Sequence, residues 1–160
     1  MSDTLTREPA EGDPAPEIAL PRDGGGDFRA DDLGGAALVL FFYPKADTSG
    51  CTREALDFTA LADDFAAAGC MVVGVSKDPI RKQDKFKAKH ALNVALLSDE
   101  DGDVCERFGV WTEKSMYGKT YMGIERSTFL IRDGAIRRVW RKVKVPGHAQ
   151  EVLEAARAAG

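Results

Sequence analysis

The sequence has few cysteines, few histidines and no long apolar run. Its three cysteines stand at positions 51, 70 and 105, and no pair forms a Cys-x-x-Cys motif. An odd number of cysteines at these spacings is unlike a secreted disulfide framework or a zinc site. The missing dithiol motif also argues against a disulfide reductase. His90 and His148 lack the Cys-His-Asp pattern of triad chemistry, and we expect both at helix boundaries, as surface or capping residues.

Neither sign of charge dominates the chain. With 22 basic and 26 acidic residues the net charge is -4, which gives no electrostatic reason to expect nucleic acid or an anionic membrane as a partner. No apolar run approaches the length of a transmembrane helix, about 20 residues. The first 20 residues carry acids and prolines where a signal peptide has a basic start and an apolar core. We therefore expect a cytoplasmic protein with reduced thiols.

What the sequence does contain is enough apolar material for one domain. The chain has 160 residues, of which 44% are hydrophobic. Residues 1–16 are polar and Pro-rich, which predicts a flexible N-terminal lead-in. Residues 17–160 then form a single domain, and the turn-rich segment at 21–35 predicts a short hairpin extension at its start.

Hydrophobic patterns predict an α/β fold with a mixed central sheet flanked by helices. The run ALVLFFY at 37–43 has almost no polar interruption and predicts a central strand buried on both faces. A helix is expected from Cys51 to about Ala68, where Gly69 ends it. The remaining predicted elements are strands at 70–76 and 94–99, helices at 79–90 and 102–110, a hairpin around Asp133-Gly134 and an amphipathic C-terminal helix.

Cys51 follows the predicted central strand and a short polar loop, at the mouth of the predicted helix. A helix N-terminus and nearby cations lower the pKa of a thiol from about 8.5 to roughly 3.5–7.5. The resulting gain in thiolate is at most about thirtyfold, and a lower pKa also makes the thiolate less nucleophilic. A fast enzyme would therefore also need to stabilise the transition state.

The segment YPKADTSGCTREALDF resembles the peroxidatic-cysteine loop of the peroxiredoxins. Pro44, Thr48 and Cys51 fill its Pro-x-x-x-Thr-x-x-Cys pattern. ERSTFLIRDG at 125–134 resembles a second motif of the family, whose arginine corresponds to Arg126. The strings CTRE, VGVSKD, LLSD, YGKTYMGIERSTFLI and KVKVPGHAQEVL are most similar to the PrxQ, or bacterioferritin comigratory protein, subgroup.

The resemblance implies a thioredoxin-like fold and a thiol-dependent peroxidase that reduces hydrogen peroxide and organic hydroperoxides without metal or cofactor. Cys51 would attack the peroxide and become a sulfenic acid, and Arg126 would hold the thiolate and the breaking O–O bond. Thr48 would orient the peroxide, and Pro44 would shield the pocket from water. Backbone N–H groups around Gly50 would add donors.

Several positions leave alternatives open. Glu54 either orients an arginine or is an N3-type acid that favours the helix dipole. Leu56 stands where many PrxQ proteins have their resolving cysteine, and helical geometry turns it away from the face of Cys51. We therefore rank an external thiol first as resolver, Cys105 second and Cys70 last, because reaching Cys70 would disrupt a buried strand.

The resemblance also implies partners and a cellular role. The reductant would be thioredoxin, glutaredoxin or glutathione, and the role would be antioxidant defence and redox homeostasis by a monomer or weak homodimer. A peroxide sensor that signals through Cys51 oxidation shares this chemistry and differs in not turning over. The sequence alone therefore leaves the enzyme and the sensor both open.

Overall fold

The computed structural model describes residues 8–159 of the chain. Nine strands and five α-helices make up this part, together with a 3-10 helix at Ala30–Leu33. The strands are β1 (Ala19–Pro21), β2 (Asp27–Arg29), β3 (Ala37–Phe42), β4 (Cys70–Ser76), β5 (Ala95–Ser98), β6 (Trp111–Met116), β7 (Lys119–Ile124), β8 (Ser127–Arg132) and β9 (Ala135–Trp140). The helices are α1 (Ser49–Ala60), α2 (Ala62–Ala67), α3 (Ile80–His90), α4 (Val104–Arg107) and α5 (His148–Ala159).

The central sheet has five strands in the order β5-β4-β3-β8-β9. β3, β4 and β5 are parallel, whereas β8 runs antiparallel to β3 and β9 antiparallel to β8. The predicted mixed sheet is confirmed, and β3 is its middle strand, with all six residues buried. A strand covered on both faces needs no alternation of polar and apolar residues, which explains its continuous apolar run.

The side chains of β3 alternate between two hydrophobic cores. Ala37, Val39 and Phe41 face a cluster that also contains Cys51 and residues of α1, α2, α3 and α5. Alternate residues of the same strand face a second cluster, formed with the N-terminal hairpin and α4. The sheet therefore separates one core, which holds Cys51, from another that does not.

Two features of the fold differ from the sequence expectations. The helix predicted from Cys51 to Ala68 starts at Ser49 and is broken at Leu61 into α1 and α2. The apolar spacing continues across the break, with the rings of Phe58 and Phe65 5.8 Å apart, so periodicity alone does not reveal it. The antiparallel β6–β7 hairpin was missed because most of its residues are exposed and give no buried stripe.

The chain before β1 lies against the edge strand β9. The backbone N–H of Gly12 donates to Ile136 O at 2.8 Å, and that of Ile136 donates to Asp13 O at 2.9 Å. Of the lead-in predicted at 1–16, residues 1–7 lie outside the described residues, and its boundary with the domain stays a prediction. The predicted hairpin extension is present as the antiparallel pair β1–β2. No helix within residues 8–159 is long and apolar enough to span a bilayer.

Candidate active site

Cys51 is the third residue of α1, and its side chain is buried beneath the loop that joins β3 to this helix. The loop is tied to α3 through Asp47, whose carboxylate lies 2.9 Å from Lys89 Nζ and 2.8 Å from His90 Nε2. Asp78 Oδ2 also accepts from the backbone N–H of Ala46 at 2.7 Å. These contacts fix the path of the chain just before the thiol.

Arg126 reaches Cys51 because of the register between β3 and β8. Phe42, the last residue of β3, pairs with Ser127, the first residue of β8, so Arg126 lies beside the loop leading to α1. Its Nη2 lies 3.4 Å from Cys51 Sγ, and its Nη1 donates to Glu54 Oε1 at 2.7 Å. A Cβ on Gly50 would lie 3.2 Å from Nη2, so the glycine leaves room for the guanidinium.

Glu54 is buried in the site, with 1% of its surface exposed. Burial raises the pKa of its carboxyl to about 7, and the Arg126 charge acts in the opposite direction. Its second oxygen, Oε2, has no hydrogen-bond partner among residues 8–159. Since the helix cap is Thr48, Glu54 is not at position N3. Of the two predicted roles, the geometry favours contact with the arginine.

Thr48 occupies the cap position of α1, but its hydroxyl does not cap the helix. It donates instead to Lys45 O at 2.8 Å. Ser49 follows Thr48 as the first residue of α1. Pro44 is half-buried at the start of the loop, where it offers no N–H group.

His148 was expected at a helix boundary as a surface or capping residue; it is the first residue of α5, but its side chain is buried, with 5% exposure. Its Nε2 lies 2.8 Å from Thr128 Oγ1, and its ring meets those of Phe58 and Trp140 edge-on. Its pKa is lowered to about 4, mainly by burial. The Glu151 charge raises this pKa and the Arg126 charge lowers it, and burial has the larger effect. A histidine at a helix start gives no sequence signal of such burial, because its partners lie on other elements.

The other two thiols are buried away from Cys51. Cys105 belongs to the core on the opposite face of the sheet, where burial and Asp99 raise its pKa. Cys70 starts β4 and pairs with Ala37, at the opposite end of β3 from the loop to α1, and burial raises its pKa. The length of β3, about 16 Å, therefore separates Cys70 from the strand end that leads to Cys51.

One charged residue near the site was not found from the sequence. Lys114, on the missed β6–β7 hairpin, interacts electrostatically with both Cys51 and Arg126. The exposed hairpin has no periodic pattern, so no sequence signal placed this lysine near Cys51.

The amino-acid sequence is similar to that of several bacterial peroxiredoxins. The chain is 48% identical over 143 residues to a putative peroxiredoxin bcp of Coxiella burnetii, a match covering 89% of this chain and 95% of the relative. It is 46% identical over 143 residues to peroxiredoxin Bcp of Escherichia coli K12, covering 89% and 92% of the two chains.

Solved structures show the same likeness. Peroxiredoxin Q of Xanthomonas campestris superposes with a TM-score of 0.84 at 46% identity, covering 88% of this chain and 90% of the other. A cysteine-to-serine variant of PrxQ from Xylella fastidiosa gives a TM-score of 0.90 at 39% identity, covering 96% and 98%. The sequence profile described as the AhpC/TSA family matches residues 11–139. The chain therefore belongs to the AhpC/TSA family and is a peroxiredoxin, a thiol peroxidase with a thioredoxin-like fold.

Proposed function

We propose that Cys51 is the peroxidatic cysteine and that an external thiol regenerates it. The observation that carries this assignment is the 3.4 Å contact between Cys51 Sγ and Arg126 Nη2 inside a buried site. A guanidinium stays charged at all physiological pH values, and where water is excluded its attraction for an anion is stronger than in solution. The arrangement therefore favours both the thiolate and the charge that develops on a breaking peroxide.

In the proposed reaction the Cys51 thiolate attacks the terminal oxygen of ROOH. An S–O bond forms as the O–O bond breaks, so sulfur is oxidised to a sulfenic acid and the leaving oxygen is reduced to an alkoxide that takes up a proton. Arg126 Nη2 stabilises the charge that moves from sulfur to oxygen. Glu54 holds Nη1 and so fixes the plane of the guanidinium.

The loop before α1 supplies the other groups. Because the Thr48 hydroxyl donates its proton to Lys45 O, its oxygen is left to accept a hydrogen bond from the peroxide O–H. Gly50 and Cys51 are in the first turn of α1, where backbone N–H groups lack helical partners and can bind oxygen atoms. Pro44 would limit the access of water to the thiolate.

The positions of the other thiols support resolution by a separate molecule. A disulfide requires Cα atoms about 4.4–6.8 Å apart. Cys105 would have to cross the central sheet, and Cys70 would have to leave the far end of β4. Leu56, where the resemblance to PrxQ proteins implies a resolving cysteine, is 38% exposed and carries no thiol.

The substrates we propose are hydrogen peroxide and organic hydroperoxides. The bacterioferritin comigratory protein of Xanthomonas campestris, which is 45% identical to this chain, is described as having alkyl peroxide reduction activity. For the reductant we propose thioredoxin, glutaredoxin or glutathione, and for the setting the cytoplasm, since all three cysteines are free thiols. A monomer or weak homodimer is the proposed working state.

Mass spectrometry of the protein treated with one equivalent of peroxide tests this function. In the presence of dimedone we expect one adduct on the peptide that contains Cys51, and no intramolecular disulfide. A 51–105 or 51–70 disulfide as the main product would overturn the external-thiol assignment. Peroxide consumption with a recycling thiol is then measured: catalytic turnover supports the enzyme, whereas one equivalent consumed per chain would identify a sensor.

A further inference from the structure

Lys114 lies on β6, which pairs with β7, the strand that leads to Arg126. It is half-buried, whereas its neighbours Glu113 and Ser115 are exposed. Lys114 pairs with Tyr121, yet its Cδ and Cε lie 3.1 and 3.3 Å from where a Cβ on Gly123 would stand. The Lys114 side chain therefore packs over Gly123 of β7. Gly123 lies near the end of β7 that leads to Arg126.

Lys114 lies within electrostatic range of Cys51 and Arg126. It interacts with Arg126, Cys51 and Glu125, and burial together with Arg126 lowers its pKa. None of the ion pairs found within residues 8–159 involves Lys114. A partly desolvated cation that forms no ion pair is costly, and one of the two anionic groups that favour its charge is the Cys51 thiolate, which points to a use in the reaction.

The reaction needs a proton that the groups described above are poorly placed to give. A guanidinium does not release its protons in proteins, so Arg126 stabilises charge but supplies no proton. The Thr48 hydroxyl donates its proton to Lys45 O. Glu54 bonds Nη1, whereas Nη2 faces the thiol, so the arginine stands between this carboxyl and Cys51.

From these observations we propose that Lys114 is the general acid that protonates the leaving oxygen of the peroxide. This inference rests on the proposed role of Cys51. As the S–O bond forms and the O–O bond breaks, the alkoxide takes a proton from Lys114 Nζ and departs as an alcohol. The neutral amine that remains takes a proton from water and releases hydroxide to the solvent, which returns Lys114 to its charged form beside a neutral sulfenic acid.

The test compares two peroxides that differ in their leaving groups. tert-Butyl hydroperoxide releases a strongly basic alkoxide that needs a proton, whereas peracetic acid releases acetate, which is stable as an anion. The second-order rate constant for Cys51 oxidation is measured for each by rapid quenching with N-ethylmaleimide and mass spectrometry. Lys114→Met should slow the reaction with tert-butyl hydroperoxide about 10²-fold and leave that with peracetic acid within about threefold of wild type.

Two further variants separate proton donation from charge. Lys114→Arg keeps the positive charge but cannot donate a proton, so it should show the same selective loss as Lys114→Met. Lys119→Met removes an exposed lysine from the same hairpin and should change neither rate. A preserved rate with peracetic acid also shows that each variant is folded.

Other outcomes would overturn the proposal. Equal losses with both peroxides and full recovery in Lys114→Arg would show a purely electrostatic role. A selective loss in Glu54→Gln, with none in Lys114→Met, would assign the proton to the carboxyl. If Cys51→Ser still consumes either peroxide, the peroxidatic assignment itself fails, which is a separate result.

Discussion

Cys51 and Cys105 are both almost fully buried, but they have neighbours of opposite charge. Cys51 lies on one face of the sheet, 3.4 Å from the Arg126 guanidinium. Cys105 lies on the other face, where its backbone N–H donates to Asp99 Oδ2 at 2.8 Å. Burial and the Asp99 carboxylate both raise the pKa of Cys105, because each disfavours the thiolate. Burial alone therefore does not decide whether a thiol is reactive, since the sign of the neighbouring charge does.

The largest expected difference between the two thiols appears when each is removed. Cys51→Ser should reduce peroxide turnover to background, because a serine alkoxide is not available near neutral pH. Cys105→Ser, the matched control, should keep wild-type turnover with an external thiol. The measurement is peroxide consumption with excess dithiothreitol. Loss of turnover in Cys105→Ser with every reductant tried would reverse the comparison and make Cys105 the resolver.

Removing the Arg126 guanidinium should leave Cys51 without the cation that contacts its sulfur. Arg126→Met should slow oxidation of Cys51 by hydrogen peroxide about 10²-fold, as expected for a lost donor to developing charge. Alkylation by iodoacetamide, which needs only the thiolate, should slow less than oxidation. Equal slowing of the two reactions would contradict transition-state stabilisation by Arg126.

The same substitution leaves Glu54 buried without its partner. Removing one member of a buried ion pair costs about 3–5 kcal/mol of unfolding free energy. The double variant Arg126→Met/Glu54→Gln should regain much of this stability in urea unfolding but not the oxidation rate. Recovery of both would show that the slow oxidation came from misfolding.

A smaller effect, on how the unfolding free energy depends on pH, is expected from the Glu54 carboxyl beside Arg126. The pKa of Glu54 is raised from 4.5 to about 7 in the folded state, so the folded protein holds this proton more tightly than the unfolded chain. Its stabilising contribution is complete below pH 4.5 and is lost as the pH rises through 7. The unfolding free energy of Glu54→Gln relative to wild type should therefore rise by about 2 kcal/mol between pH 5 and pH 8. A constant difference across this range would show that Glu54 is ionised throughout.

The smallest expected change in the rate of Cys51 oxidation by peroxide comes from Leu56→Cys, which adds a second thiol to the helix that carries Cys51. Cys51 and the new thiol of Leu56→Cys would both lie within α1, where five residues span about 7.5 Å along the axis. This exceeds the separation that a disulfide accepts, so the first turn must unwind before a 51–56 bond forms. We expect that disulfide after peroxide treatment, with faster amide exchange at residues 48–58. Slower exchange there, or a sulfenic acid that persists, would contradict the unwinding step.

The sequence predicted the central strand, and it indicated Cys51 as the proposed peroxidatic cysteine, because both carry strong local signals. The apolar run of β3 and the loop pattern around Cys51 are each contained in a few consecutive residues. The break at Leu61 escaped because the apolar spacing continues through it. His148 and Lys114 escaped because their surroundings come from other elements. Local patterns therefore predict elements and motifs, whereas burial of a polar residue depends on tertiary contacts.

The pairing of β3 with β8 determines which insertions and register shifts this chain can accept without losing the Cys51–Arg126 contact. The residues of the Cys51–Arg126 contact are 75 positions apart in the sequence, yet one strand ladder holds both, since Phe42 pairs with Ser127. Insertions in the loops between them need not alter the contact, provided that β3 and β8 keep their alignment. A slip of one residue in that alignment would turn every side chain of β8 to the opposite face. The intervening chain can therefore change in length during evolution or redesign more readily than β8 can change its register.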